Sequence, residues 1–323
     1  MNNIKTFENF NNEYIFEYIE NNDIESIKNY IDSGYDLSIL ESDRDRTPLI
    51  YAVRFNHIEI VKLLLDAGAN ADKKNKHGVN SLMISVVNEY IKIAELLINA
   101  GANINIKDKY KNTPLINACI RNSTEMSKLL INYGANANSQ DESGYTALYW
   151  ATRRNNLEIV ELLLKSGAKI DKKNNISETA LIYAVDDNNY EMVKFLLNNG
   201  ADANIKNKYN DNSLIIAIKN NNYEIVELLL YAGVSIDSET DNGDTALIIA
   251  SSNNNREIVE LLLDYHADEF ILNKKNESFY DLLNFKNKQY FLKEFPNKVY
   301  NAILHKYKKP FSQFVIDFRL QIN

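Results

Sequence analysis

The residues of this 323-residue chain that could carry catalysis or hold a metal are few: four histidines, one cysteine and scattered carboxylates. No two of His57, His77, His266 and His305 stand at the helical spacing that brings a ligand pair onto one face. His57 falls in the turn between two helical stretches, where a structural hydrogen bond is its ordinary use. Cys119 follows Ala118 inside an apolar helical stretch and reads as a small buried apolar side chain. Alone, it can form no internal disulfide, no paired-cysteine redox site and no multi-cysteine zinc site, and it fits a reducing compartment such as the cytoplasm. Gly-x-x-x-x-Gly-Lys-Thr, Gly-x-Gly-x-x-Gly and Gly-x-Ser-x-Gly are all missing, so no phosphate cradle, dinucleotide loop or nucleophile elbow is encoded. Aspartates and glutamates recur at surface positions rather than as a convergent pair. The sequence therefore predicts no enzyme, no metal site and no cofactor.

Recognition is the chemistry that remains, and composition narrows its object. Thirty-six Lys and Arg against 44 Asp and Glu give a formal net charge of −8, which disfavours a nucleic-acid footprint. Asn2, Asn3, Glu8, Asn11, Asn12 and Glu13 interrupt the first residues, so no leader is expected there. Nowhere do about 18 apolar residues run together, so no membrane span is expected. An acidic surface favours a monomer. The abundance of Asn, Ile, Lys and Tyr reads as the bias of an AT-rich genome and is given no mechanistic weight.

The elements that would position a partner repeat. Thr47-Pro48-Leu49 recurs as Asn80-Ser81-Leu82, Thr113-Pro114-Leu115, Thr146-Ala147-Leu148, Thr179-Ala180-Leu181, Asn212-Ser213-Leu214 and Thr245-Ala246-Leu247, each 33 residues after the last. Such a period means stacked units that cannot bury their faces alone. The Thr of each anchor can cap a helix, and Pro48 and Pro114 then occupy the first helical position, where no donor is needed. Leu49, Ile50, Ala52 and Val53 form the apolar side of a short first helix. A second helix over 58–67 follows with a stripe of Ile58, Val61, Leu64 and Leu65. Gly68, Gly101, Gly134, Gly167, Gly200 and Gly233 close these second helices in the left-handed conformation. In the last unit His266 stands in that place, which predicts a strained cap of about 1 kcal/mol.

Thr-Pro-Leu-x-x-Ala, Glu-Ile-Val-x-Leu-Leu-Leu and Gly-Ala-x-x-Asn together resemble the ankyrin repeat. The likeness is closest in residues 42–74, 141–173 and 240–272 and covers 42–272. It implies an all-α solenoid of helix-turn-helix units joined by β-turn fingers, with fingers and first helices on the concave side. Seven regular repeats over 42–272 are expected, preceded by a degenerate capping repeat over 1–41 built on Ile15, Tyr18, Ile19, Ile24, Ile27 and Ile31. A capping half-repeat over 273–293 and an amphipathic helical tail over 294–323 follow. In that tail Tyr300, Ile303, Leu304 and Tyr307 share a helical face, and Phe311, Phe314, Val315 and Phe318 share another after Pro310. Packing on the end of the stack is the ordinary use of such faces. Phe295-Pro296-x-x-Val299-x-x-x-Ile303-Leu304 also resembles the opening of an F-box, which would make the tail an adaptor recruiting a second protein.

The resemblance implies that partners are read by the finger tips, one, three and four residues before each anchor, and by first-helix positions seven and eight residues after it. Those slots begin with Asp43, Arg44, Arg46, Arg54 and Phe55. In the middle they hold Tyr110, Arg121, Tyr145, Arg153 and Arg154, residue types enriched in binding hot spots, with Trp150 one helical turn before the two arginines. Asp186 and Asp187 follow, and Tyr209 after them. The expected partner is a protein or peptide with an acidic segment facing the arginines, oriented by the change from basic to acidic slots. Asn105, Asn138 and Asn204 occupy the loop asparagine that asparaginyl hydroxylases modify in ankyrin proteins generally. Bonding to the local backbone of the turn is use enough for them.

Overall fold

The computed structural model describes residues 14–40 and 46–307. The chain divides into two compact units, residues 1–169 and 170–323, a boundary that falls inside the regular array. The first unit holds α1 (Tyr14–Glu20), α2 (Ile24–Asp32), α3 (Pro48–Arg54), α4 (Ile58–Asp66), α5 (Ser81–Val87), α6 (Ile91–Asn99), α7 (Pro114–Ile120), α8 (Thr124–Asn132), α9 (Ala147–Arg153) and α10 (Leu157–Lys165). The second holds α11 (Ala180–Asp186), α12 (Tyr190–Asn198), α13 (Ser213–Lys219), α14 (Tyr223–Tyr231), α15 (Ala246–Ser252), α16 (Arg256–Asp264), α17 (Phe279–Leu282), α18 (Phe285–Glu294) and α19 (Pro296–Tyr307). Among the described residues no strand forms; Gln140 and Thr146 make an isolated bridge.

Each anchor Thr is the N-cap it was expected to be, and Asn80 and Asn212 cap in the same way. The side-chain oxygens of Thr47, Asn80, Thr113, Thr146, Thr179, Asn212 and Thr245 accept from the backbone N–H three residues on, satisfying a donor that a helix start leaves unpaired. The left-handed conformation of the turn inside each repeat was not foreseen. Asn56, Glu89, Asn122, Asn155, Asn188, Asn221 and Asn254 all adopt φ between 54° and 61°. Asparagine tolerates this left-handed conformation better than other residues with a Cβ, so the abundance of asparagine has a structural use here. His266 has φ 64° in the slot that glycine fills elsewhere, so the strained cap is present.

First helices pack on first helices, and second on second, within each unit. In unit one α1, α3, α5, α7 and α9 form one layer and α2, α4, α6, α8 and α10 the other. In unit two α11, α13, α15 and α17 make the first layer and α12, α14 and α16 the second. Between the layers lies the core. From each second helix it takes Ile60, Val61 and Leu64 and their copies, such as Ile159, Val160 and Leu163, all fully buried. Ile58 and Leu65, placed in the stripe by spacing alone, are only half-buried, whereas Ile60, Val61 and Leu64 are fully buried.

Side-chain ladders tie successive repeats together. Asn105 Oδ1 accepts from Asn136 N at 2.8 Å, Asn138 Oδ1 from Lys169 N at 2.7 Å and Asn204 Oδ1 from Ser235 N at 2.7 Å. These loop asparagines therefore bond the backbone of the following repeat rather than their own turn, because stacking brings that N–H closer than a local one. In unit two Asn222 Nδ2 donates to Asn188 Oδ1 at 3.0 Å, linking the left-handed turns.

The ends close the array. Ile15, Ile19 and Ile27 are buried as the inner face of a degenerate pair, α1 and α2, while Tyr18, Ile24 and Ile31 are half-buried. At the other end Ser278 and Asp281 form a reciprocal capping box on α17. The helix α19 packs against α17 and α18 through Val299, Ala302 and Ile303; of the stripe read from spacing Ile303 is buried, Tyr300 is half-buried and Leu304 remains exposed. Lys306 Nζ reaches Asp281 at 2.8 Å, and Lys298 and Asn301 both bond the carboxylate of Glu269 at 3.0 Å. Phe311, Phe314, Val315 and Phe318 lie outside the described residues, as do Asp43 and Arg44.

Candidate partner-binding face

Among the described residues each finger from Asn75 onward is closed by one side chain, five residues before the helix N-cap it leads to. Asn75, Asp108, Asp141, Asn174, Asn207, Thr240 and Asn273 accept from the backbone N–H groups two and four residues on. This is an Asx-type turn repeated with the period of the chain. It holds the finger tips at a fixed height beside the first helices, and adjacent fingers pair: Glu142 N donates to Tyr110 O at 2.9 Å. So close is the stacking that a Cβ at Gly78 would stand 3.0 Å from Lys109 N.

On this frame the aromatic and basic residues of unit one form a cluster. Tyr145 stacks on Tyr149 at 4.2 Å between centroids, and its edge meets Trp150 at 5.6 Å. Trp150 Nε1 donates to Asp141 Oδ2 at 3.1 Å, and the Arg153 guanidinium lies over the indole at 5.2 Å. The half-buried indole is thus held by Tyr145, Tyr149, Asp141 and Arg153. Tyr110 is 54% exposed on the preceding finger, its ring carrying the Lys109 ammonium at 4.8 Å. Arg121 is exposed at the end of α7.

Arg154 has a second occupation. Its Nε donates to Ile120 O at 2.8 Å, satisfying a carbonyl that the end of α7 leaves open. In unit two Asn220 Nδ2 does the same for Asp186 O at 3.2 Å. Asp186 and Asp187 are exposed at the end of α11, and Tyr209 is 60% exposed with Lys208 over its ring at 4.8 Å. Tyr110, Tyr145, Trp150, Arg153 and Arg154 are thus gathered in unit one, and Asp186, Asp187 and Tyr209 stand in unit two.

Sequence reasoning missed Asp141 and Tyr149, which orient Trp150. The signal for Asp141 was the Asx residue at the same offset in nearly every repeat. It also missed that the residue just before the anchor reads Arg46, Val79, Asn112 and Tyr145 in unit one but Glu178, Asp211, Asp244 and Glu277 in unit two. Basic side chains gather in unit one, where Arg46, Arg54, Lys76 and His77 line a groove of about 610 Å³.

Cys119 is fully buried, 3.9 Å from Ser127 Oγ, and burial pushes its thiol up to about 12. His57 Nε2 is buried without a hydrogen-bond partner; the ring is held by stacking on Phe55 at 5.8 Å, not by the side-chain hydrogen bond expected. Among the described residues no three His, Cys, Asp or Glu side chains converge to hold a metal ion, and no helix is long and apolar enough to cross a membrane.

A family model of ankyrin repeats in three copies matches residues 15–108, 100–174 and 181–276, and a second ankyrin model matches 154–197. The chain belongs to the ankyrin repeat family. Among solved structures it is similar to the ankyrin repeat domain of Bcl-3, described as a unique member of the IkappaB protein family. The two share 27% identity with a TM-score of 0.63, covering 68% of this chain and 98% of that one. Comparison with curated protein sequences found no match. Ankyrin repeats bind protein partners, and the ankyrin fold is typically a non-enzymatic interaction scaffold.

Proposed function

We propose that this ankyrin protein is a non-enzymatic cytoplasmic scaffold that binds a protein or peptide through its fingers and first helices, acting as a single chain. The observation that carries the reading is the cluster of Tyr145, Tyr149, Trp150 and Arg153 fixed by Asp141. A tryptophan and an arginine held rigidly at a surface lose little side-chain freedom on binding, which is the property of a hot spot. The basic side chains of unit one suit an acidic segment of the partner. Val299 and Ile303, which carried the F-box likeness, are buried in the closing cap, and this favours a capping role for α19 over an adaptor role.

Arg153→Glu tests the reading, because Arg153 stacks on the indole whereas Arg154 also bonds Ile120 O. The protein recovered by affinity capture with the wild type should be lost with Arg153→Glu while circular dichroism stays unchanged. Equal recovery by both would remove the cluster from the binding surface.

A further inference from the structure

A groove of about 360 Å³ in unit two, apart from the Trp150 cluster, is lined by Tyr209, Asp211, Lys219, Thr240, Asp241 and Asp244. Asp211 is 5% exposed, and its two carboxylate oxygens are unequal. Oδ2 takes Lys219 Nζ at 2.6 Å, whereas Oδ1 is buried and accepts no hydrogen bond. Its counterparts in neighbouring fingers are satisfied. Glu178 and Glu277 each take the amide of their own finger's asparagine at 3.0 Å, and Asp244 takes Asn273 Nδ2 at 2.9 Å. A buried carboxylate oxygen without a donor is an open demand for a cation or an N–H group.

The shape of the demand selects its occupant. Too few ligating groups converge here for a metal ion. A guanidinium presents two parallel N–H groups to two carboxylate oxygens, which an ammonium cannot do. Lys219 covers one oxygen only, from a side chain 46% exposed to water and therefore readily displaced. Asp241 and Asp244 add negative charge, and the Tyr209 ring, which already carries a lysine ammonium, offers a face to a cation. We propose that this groove is a receiving site for an arginine side chain of a polypeptide partner, with Asp211 as the bidentate acceptor. The proposal rests on the reading that the protein binds a polypeptide, but it uses no residue of the Trp150 cluster.

The test is a nuclear magnetic resonance titration of the full chain with acetyl-Gly-Gly-Arg-Gly-Gly-amide, beside the same peptide carrying citrulline, which keeps the shape and lacks the charge. Saturable amide shifts are expected over 208–211 and 240–244, roughly tenfold weaker with citrulline and in Asp211→Asn. Lys219→Ala removes the competing cation and should tighten binding; checked by circular dichroism to keep its fold with Asp211 unpaired, it decides the matter even if Asp211→Asn misfolds. Absence of shifts at those amides, equal response to citrulline, or weaker binding by Lys219→Ala would each overturn the proposal. A captured partner lost with Arg153→Glu but untouched by Asp211→Asn would leave the reading of unit one standing and this groove refuted.

Discussion

Asp141 accepts two backbone N–H groups through one oxygen and the indole N–H through the other, so one side chain both closes its finger and aims the only tryptophan in the chain. The two duties can be separated. Asparagine occupies the same offset at Asn75, Asn174 and Asn207 and closes those fingers unaided. Asp141→Asn should therefore keep the finger and lose the indole bond, with a stability loss of about 1 kcal/mol. Its tryptophan emission should shift while far-ultraviolet dichroism does not, and an unchanged emission would mean that the aromatic neighbours alone hold the indole. Residue-scale reading of the sequence reached Trp150, Arg153 and Tyr145 because residue type and slot sufficed. It missed the second use of Arg154, because a donor's partner 34 residues away is set by stacking rather than by local order.

At the scale of elements, the closing cap has a charge dependence. Glu269 is largely buried, and burial raises its pKa. Hydrogen bonds from Asn301, from its own backbone and from Lys298, together with the Lys298 charge, outweigh that and leave it lowered. A carboxylate whose folded pKa lies below its unfolded one contributes stability that is present above the unfolded value and is lost as pH falls through the folded value. Acid should therefore loosen α19 from the array. Amide exchange over 296–307, measured from neutral pH down through the carboxylate range, should accelerate relative to α13, and Glu269→Gln should flatten that acid dependence. Exchange of α19 that keeps step with α13 in both proteins would show that Glu269 does not fasten the cap. The anchors, helix lengths and glycine closures of these elements were legible because capping and punctuation are local chemistry. The inner face of α19 was not, since Val299 and Leu304 are equally apolar and only the packed neighbour chooses between them.

For the whole molecule, stability comes from seams shared by successive repeats, so a hole in one seam is felt beyond its own helix. Leu163 and Leu229 are fully buried at the same place in α10 and α14. Leu163→Ala and Leu229→Ala should each cost about 2–5 kcal/mol through lost burial and the cavity left behind. Urea denaturation should show this as a lower midpoint, and a loss below about 1 kcal/mol would mean that the seam collapses around the gap. The sequence by itself determined the repeat, its period, the helix pairs and the absence of nucleophile and phosphate motifs, because a 33-residue period repeats the same local physics in every copy. The tertiary structure decided the rest. It sent the loop asparagines to the following repeat, left Asp211 Oδ1 without a donor and divided the chain between residues 169 and 170. The asparagine bonds depend on which groups stacking brings within a few ångströms across 31 residues, and spacing along the chain carries no measure of that distance.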